Sequence, residues 1–467
     1  MKIVLAGLGS RKGDLSLNAL EAIKSCDKVF VRSAVPESVN ALTENGVKFE
    51  SFDELFKKCR TFDGLSKKIA KAVVDEAKNS SVAYCVDGSV SEDIACAKIL
   101  KKFKTAQIFE AAPRGAALIA SSCERGAYTC VSAYSIEKIN AAVALPLVIY
   151  DIDDAYLAGE IKLKLCDLFG DECPAIISGG GKRKKISLYE LDRQNMFGYD
   201  CALIVGELPL TQKKRFSVED LFEILRVLRS PNGCPWDRAQ TRESITPNLL
   251  EECYELYDAL KSGDTENIVE EEGDVLLQLA FHSVFGEENH EFDRGDVVSG
   301  ICRKLIDRHT HVFGGDLATD GDSALAVWDK NKKKEKHYSG VCDYCRSVPR
   351  SFPALMRAQK VQKRAGKYNF DFSNVSQIYD KINEETGEVK SAKTSEELFE
   401  EVGDLLFSVV NLARFLKVDA EEALSASTEK FLNRLEKTEQ AATAAGENAF
   451  ELSAEKWDGY YNEIKKR

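Results

Sequence analysis

Glu251-Glu252-Cys253-Tyr254-Glu255, followed by Glu271-Glu272-Gly273-Asp274-Val275-Leu276-Leu277, has a second copy in this chain of 467 residues: Glu384-Glu385-Thr386-Gly387-Glu388, then Glu401-Val402-Gly403-Asp404-Leu405-Leu406-Phe407. Three further landmarks keep the same order around them: Arg238-Ala239-Gln240 and Arg357-Ala358-Gln359, Lys304/Arg308 and Lys430/Arg434, Trp328-Asp329 and Trp457-Asp458. Shared order at so many places marks an internal duplication. Glu251 and Glu255 are four apart and Glu271 and Asp274 three apart, so each pair shares a helix face. Lys261-Ser262-Gly263-Asp264 supplies a turn that lets the two helices pack antiparallel. The pattern predicts two all-α helical-bundle repeats, 216–338 and 354–467. The stretch 339–353 between them, rich in small and helix-breaking residues, reads as a linker.

On the first helix, Leu249, Cys253, Leu256 and Leu260 form an apolar stripe roughly opposite the glutamates, which taken alone is an ordinary solvated acidic face. The second helix changes that reading. Val275, Leu276, Leu277, Leu279, Ala280 and Phe281 surround it, as Leu405, Leu406, Phe407, Val409 and Val410 do in the second repeat, and this predicts burial. Like charges about 4 Å apart repel by roughly 4 kcal/mol at an effective dielectric near 20, so several such carboxylates call for cations or protons between them. Oxygen-only ligands point to Mg²⁺, with Mn²⁺ as the alternative. The candidate ligands are Glu251, Glu252, Glu255, Glu271 and Asp274, and again Glu384, Glu385, Glu388, Glu401 and Asp404. Mg²⁺ is commonly shared with substrate phosphates. Lys304 with Arg308, and Lys430 with Arg434, are one turn apart and suit phosphate oxygens. Trp328 and Trp457 are candidate base-stacking residues, though a lone Trp on a helix is more often core. Cys342-x-x-Cys345 has no second pair and does not make a zinc site. His309 and His311 lack helical ligand spacing and read as shaping a turn.

Residues 1–215 are different in kind. They hold 31 Lys+Arg and 28 Asp+Glu, against 33 and 48 in residues 216–467, where all three tryptophans also lie. Short apolar runs at Lys2–Leu8, Lys28–Arg32, Ser81–Val86, Gln107–Glu110, Leu147–Asp151, Ala175–Ser178 and Cys201–Val205 alternate with helical patterns, which predicts an α/β domain with a mostly parallel sheet. Gly7-Leu8-Gly9 after the first run suits close approach of a ligand, but the next glycine is Gly13, and this is not the dinucleotide fingerprint. Lys182–Lys185, after Gly179-Gly180-Gly181, reads as a solvated turn. The net charge of −12 argues against a nucleic-acid partner. The uncharged runs Ile139–Tyr150 and Val275–Gly286 are too short to span a bilayer. Arg11 follows the first apolar run too closely for a secretory core, and 14 scattered cysteines then read as buried, reduced thiols of a cytoplasmic protein.

The pattern E-E-x-x-E then E-x-x-D, with Gly233-Cys234-Pro235-Trp236-Asp237 and Arg308-His309-Thr310-His311-Val312-Phe313, resembles the MazG family of all-α nucleoside triphosphate pyrophosphohydrolases over residues 218–467. The resemblance implies NTP + H₂O → NMP + PPi, with Mg²⁺ held by these carboxylates, Glu252 or Glu385 accepting the water's proton, and a homodimer or higher assembly. Over about residues 1–210, Gly7-Leu8-Gly9, Asp87-Gly88, Pro113-Arg114-Gly115-Ala116-Ala117 and Gly170-Asp171-Glu172 resemble the tetrapyrrole (corrin and porphyrin) methylase family. In that family the first three regions hold S-adenosylmethionine, which carries over to Gly7, Gly9, Asp87, Gly88 and Pro113. The sequence departs at the first two loops: Ser10-Arg11-Lys12 replaces the third loop glycine, and Val86–Val90 lacks proline. The expectation is a degenerate methylase-like domain fused to a hydrolase; the alternative is a bifunctional enzyme that also transfers methyl groups.

Overall fold

A computed structural model describes residues 2–59, 62–122, 127–179, 182–198, 200–336 and 338–466. The chain divides into two compact units, Met1–Val298 and Ser299–Arg467.

The first unit opens with β1 (Ile3–Gly7), β2 (Lys28–Val31), β3 (Glu50–Ser51), β4 (Val82–Val86) and β5 (Gln107–Phe109), in the spatial order β3-β2-β4-β1-β5 and parallel throughout. Successive β1 side chains point to opposite faces, and both faces are covered. Ile3 and Leu5 pack with Tyr84 against Ile69 and Val73 of the helix Phe62–Glu76; Val4 and Ala6 pack with Val31 against Ile23 of the helix Leu17–Lys24. Two-sided burial is why these strands read as unbroken apolar runs.

A second sheet follows: β6 (Thr129–Ser132), β7 (Leu147–Tyr150), β8 (Pro174–Gly179), β9 (Lys182–Ser187) and β10 (Ala202–Val205), ordered β6-β7-β10-β8-β9. Only β6–β7 is parallel; the other three pairings are antiparallel. The single mostly parallel sheet expected from the sequence is therefore two sheets. β8 and β9 are joined too tightly for a crossover, so they can pair only antiparallel. Lys182–Lys185 is not a turn but the exposed edge strand, where lysines discourage pairing with other chains. Gly180 and Gly181 lie outside the described residues.

Beyond the sheets, Val218–Arg229, Arg242–Ser262 and Thr265–Glu288 are helices of the first unit, with a core of Phe222, Leu225, Ile245, Ala280, Phe281, Val284 and Phe285. The second unit includes the helices Gly321–Lys336, Val341–Arg346, Ala354–Gly366, Val375–Ser391, Ser395–Phe415, Ala420–Ala444 and Ala454–Lys466. The expected linker at 339–353 contains one of them: Val341–Arg346 buries Tyr344 among Tyr338, Tyr368 and the Arg364 guanidinium. The second helix of each repeat is less buried than its composition suggested. Leu276, Leu279, Leu406 and Val409 are 39–54% exposed, and burial is confined to the C-terminal half of Thr265–Glu288. Among the described residues no helix is long and apolar enough to cross a membrane. The 13 described cysteines are free thiols; Cys253, Cys302 and Cys342 are exposed rather than buried.

Candidate metal centres

Each repeat folds its carboxylates together through a helical hairpin. In the first, Gly263 closes Arg242–Ser262 in a left-handed conformation (φ 73°) that glycine adopts without a Cβ penalty, and the Asp264 carboxylate caps Thr265–Glu288. The turn brings Glu252 and Glu255 of one helix against Glu271 of the next, each with an oxygen within 4.8 Å of the others. In the second repeat Thr394 caps Ser395–Phe415, and Glu385, Glu388 and Glu401 form the same triad.

The electrostatics are those of crowded anions. Glu252 and Glu271 have pKa values raised by burial, then by neighbouring carboxylates that include Glu255 and Asp274. Glu388 is raised by burial and by its hydrogen bond with Glu385, and Glu401 by burial, Glu385 and Asp404. Glu271 Oε2 is buried with no hydrogen-bond partner among the described residues. An all-oxygen donor set with one orphaned carboxylate oxygen fits a hard divalent cation.

The remaining sequence candidates divide. Asp274 and Asp404 stand close enough to be felt by their triads. Glu251 points to solvent, and exposed Glu384 pairs with Lys381 at 3.0 Å. Arg308 is buried, with a forked pair of hydrogen bonds to Glu335 (2.9 and 2.7 Å) and its guanidinium 5.0 Å from the Trp328 ring; His309 packs edge-on to the same ring at 4.8 Å. That packing accounts for Arg308, Trp328 and the turn-forming role of His309. These residues and exposed Lys304 belong to the second unit, whereas the Glu252 triad belongs to the first. In the second repeat Lys430 is exposed, and Arg434 and Trp457 are half-buried.

Two residues escaped the sequence reading. Lys381 sets its ammonium 2.7 Å from Glu385, whose side chain is 4% exposed, and its pKa rises through hydrogen bonds to Glu385 and then Glu384. Its i,i+4 spacing to Glu385 was the available signal. Gln278, one turn after Asp274, is buried and hydrogen-bonded to Glu252; nothing in its apolar surroundings marked it. The repeats thus brace the equivalent glutamate differently, one with an amide and one with an ammonium.

The resemblance to the methylase family makes the N-terminal glycine loops an expected cofactor cradle. Here Leu8 N–H donates to Val86 C=O (2.8 Å), Gly9 N–H to Gly88 C=O (3.1 Å) and Gly88 N–H to Gly9 C=O (2.9 Å), so these amides are spent on one another. A Cβ at Gly7 would lie 2.6 Å from the Gly88 oxygen, and one at Gly88 2.4 Å from Glu92 Oε2. The glycines permit chain-to-chain packing. Asp87 lies between Arg32 (3.4 Å) and Arg114 (3.3 Å), and both arginines also reach Asp151, at 3.1 and 2.8 Å. Burial would raise the Asp151 pKa, but Arg114 and Arg32 hold it below the usual carboxylate range. Pro113 is exposed, just ahead of the helix Arg114–Ser122.

Comparison with known proteins matches residues 240–313 and 373–438 to the MazG nucleotide pyrophosphohydrolase domain. A Bacillus subtilis (strain 168) protein, YabN, is 31% identical over 99% of this chain and 98% of its own length. The nucleoside triphosphate pyrophosphohydrolase/pyrophosphatase MazG of Thermotoga maritima is 42% identical over 53% of this chain and 95% of its own, and the nucleoside triphosphate pyrophosphohydrolase of Escherichia coli (strain K12) is 38% identical over 54% and 97%. A crystal structure of diphthine synthase aligns with 44% of this chain and 90% of its own at a TM-score of 0.31 and 15% identity. Both matched segments contain a carboxylate triad, and a nucleoside triphosphate pyrophosphohydrolase of the MazG family is matched over 95% of its own length: the protein belongs to the MazG nucleotide pyrophosphohydrolase family.

Proposed function

We infer that the chain hydrolyses nucleoside triphosphates to nucleoside monophosphate and pyrophosphate, using a divalent cation at each glutamate triad. The observation that carries this reading is the twice-built triad with its raised carboxylate pKa values. Glu252, Glu255, Glu271 and Asp274, and Glu385, Glu388, Glu401 and Asp404, would hold Mg²⁺, with Mn²⁺ as the alternative. When bound, such an ion neutralises triphosphate charge and lowers the pKa of a water. The residues do the rest. Gln278 and Lys381 fix the rotamers of Glu252 and Glu385, and each of those carboxylates is suited to take the proton of an attacking water. Lys304, Lys430 and Arg434 offer cations for phosphate oxygens, and Trp457 a face for the base. Arg308 and Trp328 are assigned a packing role instead.

The domain division that accompanies this reading is 1–215, 216–338 and 354–467. The wholly free described thiols support a reducing, cytoplasmic setting. Phe399, Val402, Leu406 and Val409, at intervals of three and four, leave an apolar stripe on Ser395–Phe415, and Val269, Leu276 and Leu279 stand in matching register on Thr265–Glu288. Helices exposed in this way are completed in a homodimer. The bifunctional alternative has the spent glycine-loop amides against it, and we assign the N-terminal domain no methyl transfer.

The test is pyrophosphate release from a panel of NTPs with Mg²⁺. Glu252→Gln combined with Glu385→Gln keeps the helical circular dichroism and abolishes turnover. Unchanged turnover in that double variant would reject the assignment.

A further inference from the structure

The first unit holds a cavity of about 580 Å³ that the triads do not touch, within the range of small-molecule sites. It opens beyond the C-terminal ends of the parallel strands β1, β2 and β4, where α/β sheets bind ligands, and its far wall comes from β7, β8 and β10. Two of its lining hydroxyls, Ser10 Oγ and Ser38 Oγ, are buried and lack a hydrogen-bond partner among the described residues, and Arg114 Nε, also without a hydrogen bond, lies 3.8 Å from Glu92 Oε2. Ser38 is 0% and Arg114 9% exposed. A polar group left unpaired inside a protein is destabilising, so two orphaned hydroxyls on one cavity are best explained by a ligand that satisfies them.

The charges say what kind. Asp87 on the floor is already held by Arg32 and Arg114 and has no charge to spare. Lys12, beside the same loop, is turned onto Glu44. Arg11 on the rim is exposed and makes no ion pair among the described residues. Arg114 behind it is shared among Asp87, Glu92 and Asp151, and Arg183 and Asp200 line the wall of the second sheet, so the positive charge on offer is Arg11. Glu37 on the wall can accept from hydroxyl donors. A sulfonium cofactor would set its cation against Arg11, whereas an oxyanion would pair with it.

We propose that this cavity binds a small hydroxylated oxyanion, a sugar phosphate or a hydroxycarboxylate, through Arg11, Ser10 and Ser38. It is a second ligand site, separate from the glutamate triads.

Hydrogen–deuterium exchange on the full-length chain tests it, read by mass spectrometry in EDTA so that the triads carry no metal. The probes are ribose 5-phosphate, citrate and S-adenosylmethionine in separate arms. Ribose 5-phosphate or citrate is expected to slow exchange in peptides covering residues 8–12 and 33–39; whichever does so identifies the phosphate or carboxylate source. Arg11→Gln, at an exposed position that leaves the fold intact, weakens that protection at least about tenfold in probe concentration, the loss of one charged hydrogen bond. Ser38→Ala weakens it independently. Protection by S-adenosylmethionine alone, protection by neither anion, or anion protection that Arg11→Gln leaves unchanged would each overturn the proposal.

Discussion

Lys381→Met removes the cation that stands inside the second triad. Its ammonium is 2.7 Å from Glu385 and 3.0 Å from Glu384, and the side chains of Lys381 and Glu385 are 35% and 4% exposed. Coulomb attraction at 2.7 Å and an effective dielectric near 20 is about 6 kcal/mol. Solvent over the lysine and the entropy of holding its long side chain leave about 1–2 kcal/mol of net interaction. In the metal-free protein that loss exposes Glu385 to Glu388 and Glu401, and for a unit of this size it lowers the melting temperature by about 2–8 °C. A divalent ion replaces the missing charge and no longer competes with the ammonium. Mg²⁺ affinity at this triad therefore rises about fivefold to thirtyfold, at 1.36 kcal/mol per tenfold. The assay is thermal unfolding with EDTA and with excess Mg²⁺, alongside calorimetric Mg²⁺ titration. The reasoning fails if the metal-free variant melts like wild type and binds Mg²⁺ no more tightly.

Two more outcomes are expected. Glu252, Glu271, Glu388 and Glu401 have raised pKa values in the folded protein, so the folded state holds their protons more tightly than the unfolded chain does. Their contribution to metal-free stability is complete at pH below the ordinary glutamate value and is lost as pH rises through the raised values; Mg²⁺, which needs the carboxylates ionised, binds in the opposite sense. Mg²⁺ titrations at stepped pH should therefore lose affinity at a higher pH than ordinary carboxylates would dictate, and an affinity independent of pH down to the ordinary range contradicts the shifts. Leu406→Glu places a charge in the exposed stripe of Ser395–Phe415 and should convert a dimer to a particle of 51.8 kDa in light scattering, whereas a wild-type chain that is already monomeric at every concentration refutes the dimer.

What the sequence determined alone was local geometry. The carboxylates at three- and four-residue spacings had to share helix faces because the α-helix period is 3.6, and the turn at Gly263 had to bring two such faces together. Duplication made the reading firm, since both copies carried every landmark. By the same logic Lys381 was legible beside Glu385 and was overlooked. What only the tertiary structure decided were contacts whose partners are far apart in the chain. Arg32 meets Asp151 across 119 residues because the first sheet and the second bring their strand ends together, and no spacing rule contains that. The Gly7–Gly9 and Asp87–Gly88 loops look alike in sequence whether their amides face a ligand or each other; the parallel register of β1 on β4, Gly7 opposite Val86, turned them inward. Arg308 looked like a phosphate ligand until Glu335 and Trp328 claimed it. The apolar helix faces around Leu276 and Leu406 were visible as composition, but whether a hydrophobic side chain is buried depends on which surfaces meet it, a property of packing and not of the residue.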